Sequence, residues 1–385
     1  MRLRFFTNNP KSNPIDDFQE RVWSRITDIT TAQPPGELLG EMDRERFVSS
    51  LRYIFDLRHG QNAARVAAAY LGYRLVHPRP EVTPALVEMA AALEIANTSI
   101  TYIEDKLIDE DRENQRGKEW THIRYGLPLT TVINSFVHFL SRHTLHNALT
   151  LANTLHDPIA SDRWLRVEFE KIFRDANYGQ FLDVYYGSPS LQTSIDGSFS
   201  DVEDPCQEVL SDHINDLRTG QFVRRSAEFG SIFAGLDPNS EQLRRLRTAM
   251  RLVGICVQDL NDLQDFIPAE GFPGSCGKDL ILLKKTFPVI RLIEAAHTLS
   301  EARGLINEIR EPTSDKALLL SQARDLLAHT GIFSEMSERI LQRLDRARAL
   351  LSTSFECTNL PVDLYFDSLC AKATSIANRL VAVRS

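Results

Sequence analysis

The stretch Glu104-Asp105-Lys106-Leu107-Ile108-Asp109-Glu110-Asp111, followed by Gln115-Arg116-Gly117, closes the apolar approach Ile95-Ala96-Asn97-Thr98-Ser99-Ile100-Thr101-Tyr102-Ile103. An acid-rich segment at the end of an apolar helical run reads as the wet, C-terminal end of a buried helix. Asp105 and Asp109 are i, i+4 and share a helix face, with Glu104 and Glu110 beside them. A second acidic stretch, Asn261-Asp262-Leu263-Gln264-Asp265, stands roughly 160 residues further on, at the end of a helix expected over 252–266. There Asn261 and Asp265 are i, i+4, Asp262 and Asp265 are i, i+3, and Gln258 lies one turn earlier on the same face. Two carboxylate clusters on two helix ends, facing each other across a cavity, form a site for hard divalent cations. Magnesium takes one or two carboxylates and completes its shell with water and substrate phosphate oxygens. The competing reading of the first cluster is a solvated helix end in which Lys106 and Arg112 neutralise the acids.

Outward from these stretches the pattern is helical. Phe47, Leu51, Ile54 and Leu57 lie on one helix face. Residues 60–76 and 82–108 continue the spacing, with Pro84 near a helix start. Strand-like alternation is scarce. Gly and Pro collect at junctions such as Gly126-Leu127-Pro128, Gly187-Ser188-Pro189, Gly235-Leu236-Asp237-Pro238 and Gly271-Phe272-Pro273-Gly274. The segments between them, roughly 20–30 residues each, are long enough for helices that span a globular domain. The expected fold is all-α, with about ten or more helices in one domain over 36–385. Residues 1–35, ending in Pro34-Pro35, are expected to be a loosely ordered N-terminal arm. Residues 187–205 are rich in Gly, Ser and Asp and read as a loop between helices, either a lid or a tolerated surface insertion.

Composition bounds the function. A chain of 385 residues with 43% hydrophobic and 25% charged residues can bury a sizeable core. A net charge of −8 with no basic stripe argues against a nucleic-acid surface. An anionic substrate must then be met locally, by metal ions and a few placed cations. The five cysteines, Cys206, Cys256, Cys276, Cys357 and Cys370, show no CxxC spacing, which suggests reduced thiols in a cytosol-like compartment. Cys256 reads as a core residue. No h-region opens the chain and no run of 18 apolar residues occurs, so neither a signal peptide nor a membrane span is expected. His138, His143 and His146 do not fit zinc spacing and read as core or surface histidines.

Three cations complete the candidate site: Arg116 after the first acidic stretch, Arg218-Thr219 within a helix expected over 207–233, and Lys284 in Asp279-Leu280-Ile281-Leu282-Leu283-Lys284-Lys285-Thr286-Phe287-Pro288. Singly each is a surface cation; together they can neutralise a diphosphate leaving group. The order of these pieces resembles the trans-isoprenyl diphosphate synthase superfamily, the all-α fold shared with class I terpene cyclases. The resemblance covers roughly residues 55–300 and runs from Glu94 through Glu104-Asp105, Gln115-Arg116-Gly117, His122-Ile123-Arg124-Tyr125-Gly126 and Gly179-Gln180-Phe181-Leu182-Asp183. It continues through Arg218-Thr219 and the stretch Gly254 to Asp265, and closes on Asp279 to Pro288. It implies a single-domain isoprenoid-synthase helical bundle with a central apolar cavity, magnesium as cofactor, an allylic prenyl diphosphate as substrate and a homodimer.

The departures from the family pattern bear on the reaction. Chain-elongating members carry Asp-Asp-x-x-Asp or its longer form, then Arg-Arg-Gly. Here Glu104-Asp105, four residues and Glu110 fit the longer form, and Gln115 replaces the first Arg. Asn261 replaces the first Asp of the second motif, Arg218 replaces a Lys, and Ser275 falls where a phosphate-contacting Lys is usual, with Lys278 as a substitute one turn on. On the side that would hold isopentenyl diphosphate, the family's Gly-Lys-x-x-Arg corresponds to Gly60-Gln61-Asn62-Ala63-Ala64, with Arg65 shifted by one, and its usual His is Asn97. Losing such charge-assisted contacts costs about 1.5–3 kcal/mol each.

The resemblance with these losses implies an enzyme that ionises an allylic diphosphate without ordinary elongation, either cyclising the cation or transferring it to another acceptor. Elongation with a rebuilt second site and a non-catalytic subunit are the other two readings. Asp105, Asp109, Glu110 and Glu104, with Asn261, Asp262 and Asp265, are the expected metal ligands; Arg116, Arg218 and Lys284 share the diphosphate charge, with Thr219, Gln258 and Lys278 beside them. Ser99 and Ile100 lie where the family sets tunnel depth, and neither is aromatic, so a C15–C20 or longer chain would fit. Asp183 and Gln180, i and i+3, are expected either to partner the phosphate-binding cations or to form a buried capping pair.

Overall fold

The computed structural model describes residues 13–32, 40–59, 63–77, 81–108, 118–153, 155–187, 207–267, 277–311, 315–355 and 360–381. Among them every regular element is helical and none is a strand, as the spacing of apolar residues predicts. The backbone divides into two compact units. The first comprises 1–173, 223–248 and 351–365; the second comprises 174–222, 249–350 and 366–385. No helix among the described residues is long and apolar enough to cross a membrane.

In the first unit the centre is α4, Pro84–Asn97, reached through α1 (Pro14–Thr31), α2 (Glu41–Arg58) and α3 (Ala64–Val76). Thr83 caps α4 by accepting from the Leu86 amide at 3.2 Å, and Pro84 sits in the first turn, where its missing N–H costs nothing. From Ala85 to Asn97 every residue is buried, so α4 is apolar around its whole circumference and is walled in by its neighbours. It packs most extensively against α6, Thr121–Leu151. Two glutamates interrupt the apolar surface, and each is met by an arginine: Glu88 by Arg25 and Glu94 by Arg58.

The N-terminal arm corrects the sequence expectation. Pro14–Thr31 is a helix, capped by Asn13 Oδ1 on the Ile15 amide at 3.0 Å, and it buries Ile15, Phe18, Val22, Trp23, Ile26 and Ile29. The apolar positions recur every three or four residues, and Phe18 stacks on Tyr70 of α3 with ring centroids 4.9 Å apart. Burial of that stripe, rather than the intervening polar residues, decides its state. Residues 1–12 and 33–39 lie outside the described residues, as does most of the 187–205 loop.

After α4 the chain continues as a π-helical segment, Thr98–Glu104, into the short α5, Asp105–Ile108. The Gly126-Leu127-Pro128 junction is a kink inside α6, where Gly126 has φ 75° and ψ 165°. Helix α7, Pro158–Gly187, follows. Next come α8 (Gln207–Asn215), a second π-helical segment (Asp216–Gly220), α9 (Gln221–Phe233) and α10 (Glu241–Gln264). The second unit is completed by α11 (Lys278–Ile281), α12 (Phe287–Ala295), α13 (Ser300–Arg310), α14 (Lys316–His329), α15 (Ile332–Ser352) and part of α16 (Leu360–Val381). Cys256 is in the core, its thiol 3.6 Å from the Ile340 carbonyl.

Candidate active site

Two of the helical stretches that carry candidate site residues contain a π-helical segment. Such segments cost hydrogen-bond geometry and recur where a helix must re-aim side chains at a functional site. One delivers Glu104 and Asp105; the other contains Arg218 and Thr219.

In the second unit Asp183 is the junction of two cations. Arg218 Nη1 donates to Asp183 Oδ2 at 2.7 Å, and Lys284 Nζ stands 3.3 Å from the same oxygen. Gly179, one turn before Asp183, makes this possible: a Cβ there would lie 2.8 Å from Arg218 Cγ. Lys284 is buried and also stands 3.7 Å from Asp279. It follows Leu283, whose φ of 48° is in the left-handed region that costs a non-glycine residue about 1–2 kcal/mol. Gln180, the other residue expected beside the cations, has a buried Nε2 without a hydrogen-bond partner among the described residues.

The second acidic motif is tied into the same unit. Thr219 Oγ1 donates to Gln258 Oε1 at 2.7 Å, and Gln258 Nε2 donates to Asp262 Oδ1 at 3.0 Å. Asp262 is buried and its carboxyl is held well above the usual range, first by burial and then by the charges of Asp279 and Asp259. Asp265 is pushed up to about 7 by burial and by Asp279, against the backbone amides of Asp279 and Lys278 and the charge of Lys284. The Asp279 amide donates to Asp265 Oδ2 at 3.0 Å. Lys278 therefore meets the motif through its backbone. Asn261 is exposed, whereas Asp262 is buried.

In the first unit Glu104 Oε1 accepts from Asn134 Nδ2 at 2.8 Å and lies 3.1 Å from His138 Nε2. Ser99 is fully buried and donates to Asn134 Oδ1 at 2.7 Å; Ile100 is half-buried. Asp105 has Lys106 Nζ at 3.9 Å, so part of the neutralisation considered from the sequence is present. Asp109, Glu110 and Arg116 lie outside the described residues.

Among the described residues no three His, Cys, Asp or Glu side chains gather at metal-binding spacing. The donor set nevertheless suits an oxygen-preferring cation. Asp262 and Asp265 are carboxylates whose burial, together with the charge of Asp279, opposes ionisation, and a divalent cation relieves both effects.

Several polar residues escaped sequence reasoning. His138, read as a core or surface histidine, is half-buried and stands beside Glu104, a pairing that the sequence did not suggest. Arg58 is 1% exposed and its Nε lies 2.7 Å from Glu94 Oε1; Glu94 is 0% exposed. Asn97 Nδ2 donates to that same oxygen at 3.2 Å. Asn215 contacts Asp259 and Asp262, and Arg343 contacts Asp259; the only sequence signal for Asn215 and Arg343 is helical spacing, Asn215 one turn before Arg218-Thr219 and Arg339 and Arg343 i, i+4.

A family model described as polyprenyl synthetase matches residues 45–324. No curated protein matches the sequence. Solved structures share the fold at low identity. Heptaprenyl diphosphate synthase from Staphylococcus aureus has a TM-score of 0.67 at 17% identity, covering 96% of this chain and 99% of that one. A polyprenyl synthase from Caulobacter crescentus, complexed with calcium and isoprenyl diphosphate, has a TM-score of 0.69 at 17% identity over 94% and 97%. Geranylgeranyl pyrophosphate synthase from Corynebacterium glutamicum, complexed with isoprenyl diphosphate and magnesium, has a TM-score of 0.69 at 20% identity over 95% and 99%.

Proposed function

The chain belongs to the polyprenyl synthetase family, and from that premise we propose that it ionises an allylic prenyl diphosphate of C15–C20 length without using isopentenyl diphosphate as acceptor. The observation that carries this reading is the Arg58–Glu94 pair. The resemblance implies that elongating members present cations and a histidine to a second diphosphate in this region. Here Arg58 and the Asn97 amide are both engaged by Glu94. Arg65 is half-buried, and desolvation pulls its pKa down against the charge of Glu94, so holding a further charge there carries a cost.

Asp105, Asp109 and Glu110 in the first motif, and Asn261, Asp262 and Asp265 in the second, are the oxygens proposed to hold magnesium. Glu104 is assigned to the first group with its Oε1 already accepting from Asn134. Magnesium, when bound, supplies Lewis-acid stabilisation of the diphosphate leaving group. Arg218 and Lys284, fixed through Asp183, and Arg116 bind the diphosphate oxygens, while Thr219, Gln258 and Lys278 orient the acids beside them. Ser99 and Ile100 bound the space for the chain, and apolar walls keep water from the cation until an internal double bond or a different acceptor quenches it. A homodimer is proposed with this activity. Val132 and Phe139 on α6, 62% and 56% exposed, support it as apolar surface for a second copy. The cytoplasm is proposed as its compartment, on the scattered cysteines of the sequence.

A second reading, chain elongation, is favoured by the names of the neighbouring structures and by the retained Arg65. Single-turnover release of pyrophosphate from geranyl, farnesyl and geranylgeranyl diphosphates with Mg²⁺ separates the two. Release without isopentenyl diphosphate, with a hydrocarbon, alcohol or prenylated acceptor as product, is the expected result. Release only with isopentenyl diphosphate, yielding a longer diphosphate, would establish elongation instead. No release from any substrate would point to a silent subunit, to be sought with a partner synthase by pull-down.

A further inference from the structure

Beyond residue 324, where the family match ends, α15 sends two arginines toward the acidic motif. Arg339 Nη2 donates to Asp212 Oδ1 at 2.7 Å, and Arg343 Nη2 donates to the other oxygen of Asp212. Arg343 Nη1 donates to Asp259 Oδ2 at 2.7 Å. The remaining oxygen of Asp259 accepts from Asn215 Nδ2 at 2.9 Å, and the same amide nitrogen lies 3.2 Å from Asp262 Oδ2. All of these residues belong to the second unit. Asp259 and Asp262 are each 2% exposed, so water does not compete for these bonds.

We propose that Asn215 and Arg343 are positioning residues for Asp262: Arg343 fixes Asp259, and Asn215 spans Asp259 and Asp262 so that the Asp262 carboxylate is aimed at a divalent cation. The inference rests on the reading of Asp262 as a cation ligand. The amide has two N–H donors, and the geometry directs one to each carboxylate. With Gln258 on Oδ1 and Asn215 on Oδ2, each Asp262 oxygen has one amide donor, which sets the rotation of the carboxyl plane. A carboxylate has about four lone-pair sites, so each oxygen keeps one for a cation. Without Arg343, Asp259 loses its counter-charge, and its distance from Asn215 is no longer set.

The test is titration of Mg²⁺ in the presence of inorganic pyrophosphate, followed by calorimetry, on full-length variants whose helicity is checked by circular dichroism. Asn215→Ala and Arg343→Leu are expected to weaken Mg²⁺ binding about 10–100-fold, the range for outer-sphere partners of metal ligands. Arg343→Lys, which keeps a charge for Asp259 and loses the fork to Asp212, recovers part of the loss and covers the case in which Arg343→Leu does not fold. Arg348→Leu, on the same helix but paired with Asp367, leaves Mg²⁺ affinity unchanged. In an Asp262→Asn background, Asn215→Ala adds no further loss. A folded Asn215→Ala protein with wild-type Mg²⁺ affinity, or full additivity with Asp262→Asn, overturns the positioning role alone. Wild-type affinity in Asp262→Asn itself, or no Mg²⁺ binding by the wild type, overturns the site reading and the positioning role with it.

Discussion

Arg218 and Lys284, 66 positions apart in the chain, meet at a single oxygen, Asp183 Oδ2, at 2.7 and 3.3 Å. Asp183 is buried, so its charge is what keeps two cations stable beside each other in a poorly hydrated place. Asp183→Ala leaves both without a shared counter-charge and is expected to destabilise the protein by about 3–5 kcal/mol. Asp183→Asn keeps shape and one acceptor and should cost less. Both variants should bind inorganic pyrophosphate with altered affinity, since the cations are no longer held in place. Denaturant unfolding and pyrophosphate calorimetry on the two variants check this; unchanged values in both would remove Asp183 from the cation cluster.

The Arg58–Glu94 pair predicts a double-mutant result. Breaking a buried pair from one side strands the other charge, so Arg58→Leu or Glu94→Leu alone is expected to cost about 3–5 kcal/mol. Removing both charges together should recover much of that loss, because the stranded charge is gone. Chemical denaturation of the two single variants and the double variant measures the coupling. Additive losses would show that the pair does not act as a unit.

Helices α3 and α9 approach so closely that two glycines cannot be replaced. A Cβ on Gly72 would lie 1.9 Å from the Ala227 carbonyl oxygen, and one on Gly230 would lie 1.8 Å from that of Ala69. Because both obstacles are backbone, the helices must separate, and overpacking of this kind costs about 1–3 kcal/mol or more. Gly304 is the control: it lies inside α13 with nothing within 4 Å of an added Cβ. Gly304→Ala should stabilise by about 0.5–1 kcal/mol through helix propensity. Melting temperatures that move in opposite directions for the two kinds of variant are the expected outcome.

The acidic motif makes stability depend on pH. Asp259 is raised to about 6, by burial first, with Asp212 adding and Arg343 opposing; Asp265 is raised to about 7. Between about pH 4 and 7 the folded chain retains protons that the unfolded chain has released, so stability falls as pH rises through that window. For Asp259 and Asp265 the loss is complete about one pH unit above the Asp265 value. The melting temperature measured without divalent cations should decline from pH 5 to 8, and Asp265→Asn should flatten part of that decline. Mg²⁺ binding at pH 6 should release protons, seen as a dependence of the binding enthalpy on the buffer's ionisation heat. A flat profile, unaffected by Asp265→Asn, would count against the buried state of these acids.

Helical spacing and turn residues were enough to reveal an all-α chain and the buried character of α4, because burial of an apolar stripe is a periodic property of the sequence. The same spacing ran through 14–31, yet Pro34-Pro35 and the polar residues between the apolar ones suggested a loose arm. Packing of Phe18 on Tyr70 is a long-range event that no local pattern records.

Which acids, amides and cations lie within one helical turn of each other was legible along the chain. Asp262 beside Gln258, and Arg218 beside Thr219, needed only the 3.6-residue repeat. Which of them are buried, and what neutralises them, was decided by the tertiary structure. Glu94 meets Arg58, Glu104 meets His138, and Asp259 meets Arg343 across separations that periodicity does not reach. A charge's partner depends on which helices pack together, and desolvation acts on the packed surface rather than on the residue type. The sequence therefore determined the inventory of charges, and the packing determined which are paired and which are raised toward neutrality.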